Sequence, residues 1–137
     1  MRDLDHFVMP VSSLAVARAR LMALGFTVAP DARHPFGTEN CCVFFEDGTF
    51  IEPLAIGDAA LVKAAVEAGN AFVQNDARAR AANIDGFSQL VIRSDDAEAD
   101  DYDYKAENIS GGPLLNFGRT FTRPDGTKGE EIGRAHV

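Results

Sequence analysis

A strand-like run, Leu4-Asp5-His6-Phe7-Val8-Met9-Pro10-Val11, opens the chain, with Phe7, Met9 and Val11 on one face and His6, Val8 and Pro10 on the other. The apolar spacing then turns helical. Leu14, Ala17, Leu21 and Leu24 share one face, Arg18 and Arg20 lie off it, Ser12 or Ser13 can cap the start, and Gly25 is the natural stop. Three strands are predicted next: Phe26-Thr27-Val28, residues 40–45 after a loop at 30–37, and residues 49–54 after the turn Glu46-Asp47-Gly48. On the last of these Ile51 opposes Phe50, Glu52 and Leu54. One sheet face can thus pack on the helix while the other presents His6 and Glu52 on the floor of an apolar concavity, the usual form of a small-molecule site.

Residues 58–83 are alanine-rich and predict one or two connecting helices, broken near Gly69-Asn70. A strand at 87–93 follows, and here a repeat appears. Asp5-His6-Phe7-Val8-Met9-Pro10-Val11-Ser12 lines up without gaps against Ser88-Gln89-Leu90-Val91-Ile92-Arg93-Ser94-Asp95. The second copy continues with a helix at 97–108, a strand at 114–122 and the turn Arg123-Pro124-Asp125-Gly126-Thr127, and it stops before its later strands. The last six residues, Ile132-Gly133-Arg134-Ala135-His136-Val137, match the translation of a common sequencing adapter and are set aside as a cloning or assembly scar. The division expected is a complete strand-helix-three-strand module at 1–56, a helical linker at 57–85, a partial second module at 86–131 and the scar at 132–137.

Composition narrows the function. With 137 residues, 46% apolar and 25% charged, the chain suits one soluble domain with one core. A net charge of −8 argues against nucleic acid and anionic membranes, both of which need a basic face. No run approaches a membrane span and the start lacks a signal peptide's apolar stretch, so a cytoplasmic location is expected. Cys41 and Cys42 are adjacent, so on a strand they face opposite ways and read as core residues.

The chemistry rests on two residues. Glu52 sits within Phe50-Ile51-Glu52-Pro53-Leu54-Ala55-Ile56, where an unpaired carboxylate would cost several kcal/mol unless a cation, donor or water stands beside it. His6 occupies a similar setting on the first strand. Histidine and glutamate are ligand types taken by divalent Zn, Fe, Mn or Ni. The alternatives are a core histidine bonded to backbone, and a glutamate at a solvated edge or paired with Arg93. Val8, Asn40 and Arg93 are the candidate substrate contacts; Asn40 serves equally well as a turn residue, and for Arg93 a surface role is favoured. His34 falls in a loop, where a structural role is favoured over gating. Nucleophile elbows, phosphate loops and dinucleotide fingerprints are absent.

Leu4-Asp5-His6-Phe7-Val8, Leu24-Gly25-Phe26, His34-Pro35-Phe36-Gly37-Thr38-Glu39-Asn40 and Asp47-Gly48-Thr49-Phe50-Ile51-Glu52, taken in order, resemble the glyoxalase-like domains of the vicinal oxygen chelate superfamily. The resemblance implies an α+β fold of paired βαβββ modules forming a cupped mixed sheet, the first complete and the second incomplete. It further implies that His6 and Glu52 are metal ligands from the first and fourth strands, and through the repeat that Gln89 matches His6. Two classes of function follow. One is a divalent-metal-dependent lyase, isomerase or dioxygenase acting on a small oxygenated metabolite, with Glu52 also moving a proton. The other is a metal-free module that sequesters a small molecule such as a drug. The expected partners are a small-molecule substrate and a second copy in a homodimer. The missing strand would leave this chain an inactive fragment.

Overall fold

The computed structural model describes residues 3–93, 118–122 and 128–132. Its strands are β1 (Leu4–Pro10), β2 (Ala32–Arg33), β3 (Thr38–Asn40), β4 (Val43–Phe44), β5 (Phe50–Ile56) and β6 (Gln89–Ile92), with helices α1 (Leu14–Ala23), α2 (Ala59–Glu67) and α3 (Ala71–Ala81) between them. A separate pair follows, β7 (Gly118–Thr122) and β8 (Lys128–Ile132). The six-stranded sheet runs β2-β3-β5-β1-β6, with β4 also on β5, and only β1 and β5 pair in parallel. The fold is mixed α+β, as the sequence predicts.

Local chemistry sets the helix limits. Ser13 caps α1, its side chain accepting from the Val16 amide, and Leu14, Ala17 and Leu21 turn inward. The helix ends where Gly25 takes φ +93°, so that Gly25 N–H reaches Met22 O and Phe26 N–H reaches Leu21 O, closing the last turn. Asp58 caps α2 and Asn70 caps α3, their carboxylate and amide oxygens accepting from first-turn amides. The predicted break at Gly69-Asn70 is therefore the α2–α3 junction.

Three strand predictions change. Phe26-Thr27-Val28 forms no strand: Ala29 N–H bonds Cys42 O, and Arg18 pins the segment by donating to Val28 O, Ala29 O and Asp31. The predicted loop instead contains β2, which pairs with β3 around His34-Pro35-Phe36-Gly37. Residues 40–45 split into the end of β3 and β4, and the gap falls opposite Pro53, which has no N–H to donate. In the second module β8 is a strand that Lys128-Gly129-Glu130-Glu131 does not advertise, and it reaches Ile132, the first residue set aside as scar. The predicted helix at 97–108, the turn at 123–127, residues 114–117 of the predicted strand and the rest of the scar lie outside the described residues.

Each face of the sheet carries its own core. On one, Leu14 of α1 meets Cys41 and Ala55, with Val11 and Val28 against them. On the other, Val8, Leu54 and Val91 meet Val62 of α2 and Phe72 and Val73 of α3. Burying each such aliphatic or aromatic side chain contributes about 1.5–3 kcal/mol. Sequence reasoning left this second face open as a concavity. The structure closes it, because the apolar side of α3 packs there and Arg80 fastens it. Arg80 donates to Asp76 Oδ2 at 2.7 Å, Val11 O at 3.0 Å and Leu54 O at 2.7 Å.

Candidate functional site

Register assembles the site. The parallel ladder sets Val8 opposite Glu52 and His6 opposite Phe50, and the antiparallel ladder sets Val8 opposite Gln89. Glu52, Val8 and Gln89 thus form one row across three strands, with His6 in the next row on the same face. All four are almost fully buried beneath α3.

Glu52 is the hub. Its Oε1 accepts from Asn40 Nδ2 at 2.6 Å and stands 3.5 Å from His34 Nε2; its Oε2 makes no hydrogen bond and stands 3.4 Å from His6 Nε2. Burial alone pushes the carboxyl up, but the neighbouring His6 and His34 imidazoles and the Asn40 amide outweigh it. They hold Glu52 below the ordinary glutamate range. A carboxylate with one oxygen pinned and the other directed at an imidazole can bind a cation or accept a proton through that second oxygen.

The two histidines are held differently. His6 stacks on Phe50 with ring centroids 4.1 Å apart, and its Nδ1 stands 2.8 Å from Asp5 Oδ2. His34 stacks on Phe36, meets Phe72 edge-on, and has Nδ1 2.7 Å from Thr38 Oγ1. Gln89 donates to Phe72 O at 3.4 Å while its Oε1 is buried without a hydrogen bond.

The structure thus brings His6, Glu52 and Asn40 into one cluster and puts Gln89 in the same sheet row. Val8 lies in the core under Phe72 and Val73 with no exposed surface. Arg93 turns to Asp5, Nε to Oδ1 at 3.3 Å, and not across to Glu52 as one reading of the sequence had it. Sequence reasoning gave His34 a loop role and passed over Asp5. Thr38 and Asn40, both near in sequence, hold His34 in the cluster; only a clustering of polar residues in 34–40 hinted at it. Nothing in the sequence marked Asp5.

The donor set suits a divalent cation in part. Two donors about 2.1 Å from one metal at a tetrahedral angle stand about 3.4 Å apart, the spacing of His6 Nε2 and Glu52 Oε2. A carboxylate behind the other ring nitrogen is a common support for a ligating histidine. Among the described residues, however, no three histidine, cysteine or acidic side chains are grouped to hold an ion. No helix among them is long and apolar enough to cross a membrane.

A strand-helix-strand module whose first and last strands pair in parallel, with a histidine and a glutamate side by side across the seam, defines a class of domain. The family profile described as a Glyoxalase-like domain matches residues 4–134, and the chain belongs to that family, within the vicinal oxygen chelate superfamily. No curated protein sequence matches it. Among solved structures it is similar to a hypothetical protein from Staphylococcus aureus, with TM-score 0.65 and 19% identity over 95% of this chain, which spans 50% of that one. It is also similar to methylmalonyl-CoA epimerase from Mycobacterium tuberculosis, with TM-score 0.53 and 17% identity over 92% of this chain and 75% of that one. The Streptomyces coelicolor epimerase in complex with 2-nitronate-propionyl-CoA gives TM-score 0.53 and 16% identity over 92% and 83%. At these identities the likeness is one of fold.

Proposed function

We propose that the chain carries the metal-binding half of a glyoxalase-type enzyme acting on a small oxygenated metabolite. The supporting observation is the pairing of His6 Nε2 with the hydrogen-bond-free Oε2 of Glu52, backed by Asp5 on one side and Asn40 on the other. His6 and Glu52 would hold a divalent ion, with the Gln89 amide oxygen as the next donor in the sheet row. A divalent metal there supplies Lewis-acid stabilisation of a developing enolate or oxyanion. Glu52, ionised at neutral pH, would leave the ion transiently to take a substrate proton through Oε2 while Asn40 keeps Oε1 fixed. Epimerisation next to a carbonyl, the reaction named for the methylmalonyl-CoA epimerases, begins with that kind of proton removal. Both side chains are almost fully buried, which keeps water away from the pair. The homodimer expected from the sequence belongs to this reading, and exposed Phe87, stacked on Phe7 beside β6, offers it apolar surface.

A second reading is metal-free sequestration of a small molecule. It is favoured by the absence of a three-residue ligand group among the described residues and by the apolar packing around Val8. Elemental analysis and zinc or manganese titration of wild type beside Glu52→Gln separate the two. About one ion per chain, with affinity falling at least tenfold in the variant, is the result expected for a first-sphere ligand. Metal-free wild type with no titratable binding would remove the enzyme reading and leave sequestration.

A further inference from the structure

Asp5 and His6 are consecutive on a strand, yet both are buried and their side chains touch. In a regular strand, neighbouring side chains leave opposite faces, so this contact needs a break in the pleat. The break is in the ladder with β6. Leu4 pairs with Ile92 and His6 with Val91, so β1 advances two residues while β6 advances one, and Asp5 is the extra residue of a bulge. Just beyond it Arg93 N–H bonds Asp3 O at 2.8 Å, and the Arg93 side chain reaches Asp5 Oδ1 at 3.3 Å. Both Asp5 oxygens are thereby engaged, Oδ1 by Arg93 and Oδ2 by His6 Nδ1.

We infer that the bulge at Asp5 exists to make this carboxylate the positioning residue of His6, with Arg93 as its anchor. Carboxylates stand before both ring nitrogens and only accept, but Asp5 Oδ2 is 2.8 Å from Nδ1 whereas Glu52 Oε2 is 3.4 Å from Nε2, so in the neutral ring the hydrogen goes to the closer contact. Asp5 therefore assigns Nδ1–H to itself and leaves Nε2 as the atom presented to Glu52 Oε2, 3.4 Å away. Phe50, stacked on the ring, fixes its plane; Asp5 fixes which edge points where. Arg93 thus acts behind the site, through Asp5, and not on a bound substrate. The consequence for function rests on the reading of His6 as a site residue, but the assignment itself does not.

The test is nitrogen NMR of histidine-labelled protein in chelator at about pH 8.5, above the ordinary imidazole range. The His6 signals are assigned by their loss in His6→Gln. In wild type, Nδ1 should give a protonated-type signal. In Asp5→Asn the amide can donate to the ring, and Nδ1 should change to the unprotonated type. Arg93→Gln, which keeps Asp5, should preserve the wild-type pattern. An unprotonated Nδ1 in wild type overturns the assignment without any variant having to fold. A protonated Nδ1 in folded Asp5→Asn overturns it as well. No metal or substrate enters the readout, so a failed metal titration would count against the proposed enzyme and leave Asp5 in its role.

Discussion

Glu52 is charged in a place where burial alone would keep it neutral, and the side chains that allow this come from two other strands and a loop. That is why it was visible in the sequence and most of its partners were not. A lone acid in Phe50-Ile51-Glu52-Pro53-Leu54 stands out against its neighbours. Asp5 does not, because alternation assigns it to the face opposite His6 and only the bulge reverses that. His34 was hidden for another reason: its loop is shaped by Gly37, which makes a contact no pattern reports. Gly37 sits at φ +93°, its carbonyl accepts from the Gly57 and Asp58 amides, and a β-carbon there would lie 2.6 Å from Asp58 O. Both the left-handed backbone and the contact with main-chain atoms oppose any side chain. Gly37→Ala should therefore destabilise the fold by about 2 kcal/mol or more, seen as a lower urea midpoint. A variant as stable as wild type would mean the loop is free to move away from α2.

The helices were legible as helices, since alanine-rich sequence with Asp58 and Asn70 at the caps leaves little choice. Their destination was not. The residues that commit α3 to the sheet are Phe72 and Val73, ordinary core types, and Arg80, which reads from sequence as a surface residue. Two hydrogen bonds from one guanidinium, to Val11 O and Leu54 O, join α3 to β5 and to the residue after β1, while a third holds Asp76 within the helix, so α3 is held by polar contacts at its C-terminal half and by Phe72 at its N-terminal half. Arg80→Ala should cost about 3 kcal/mol, given the Val11 carbonyl and the buried Asp76 carboxylate left without this donor and the Leu54 carbonyl left with the Val11 amide alone. Hydrogen exchange should quicken in α3 well before it does in β1 and β5. Equal acceleration throughout would show that helix and sheet open as one unit.

At the scale of the whole molecule, Asp76 ties stability to acidity. Burial pushes its carboxyl above the ordinary aspartate value of 3.8; Arg80 pulls it back and the charge of Glu52 adds to the rise. A folded state that holds the proton more tightly than the unfolded chain gains most below that ordinary value and loses the gain as pH rises through the raised one. The stability of wild type relative to Asp76→Asn should accordingly decline as pH rises above the ordinary aspartate value, in urea unfolding series run side by side. A difference that grows with pH would place the carboxyl below 3.8 instead. The parallel seam between β1 and β5 carries a consequence of a different kind, one in time. Parallel neighbours cannot be joined by a tight turn, and here α1 and the β2–β4 segment must be laid down between them. The ties that close around the seam reach still further, spanning 69 positions from Arg80 to Val11 and 88 from Arg93 to Asp5. Contacts of such long span are slow to form, because the loop must be closed before they give anything in return. His6 and Glu52 stand side by side only once that seam has closed, so a newly made chain has no such pair until its sheet is shut.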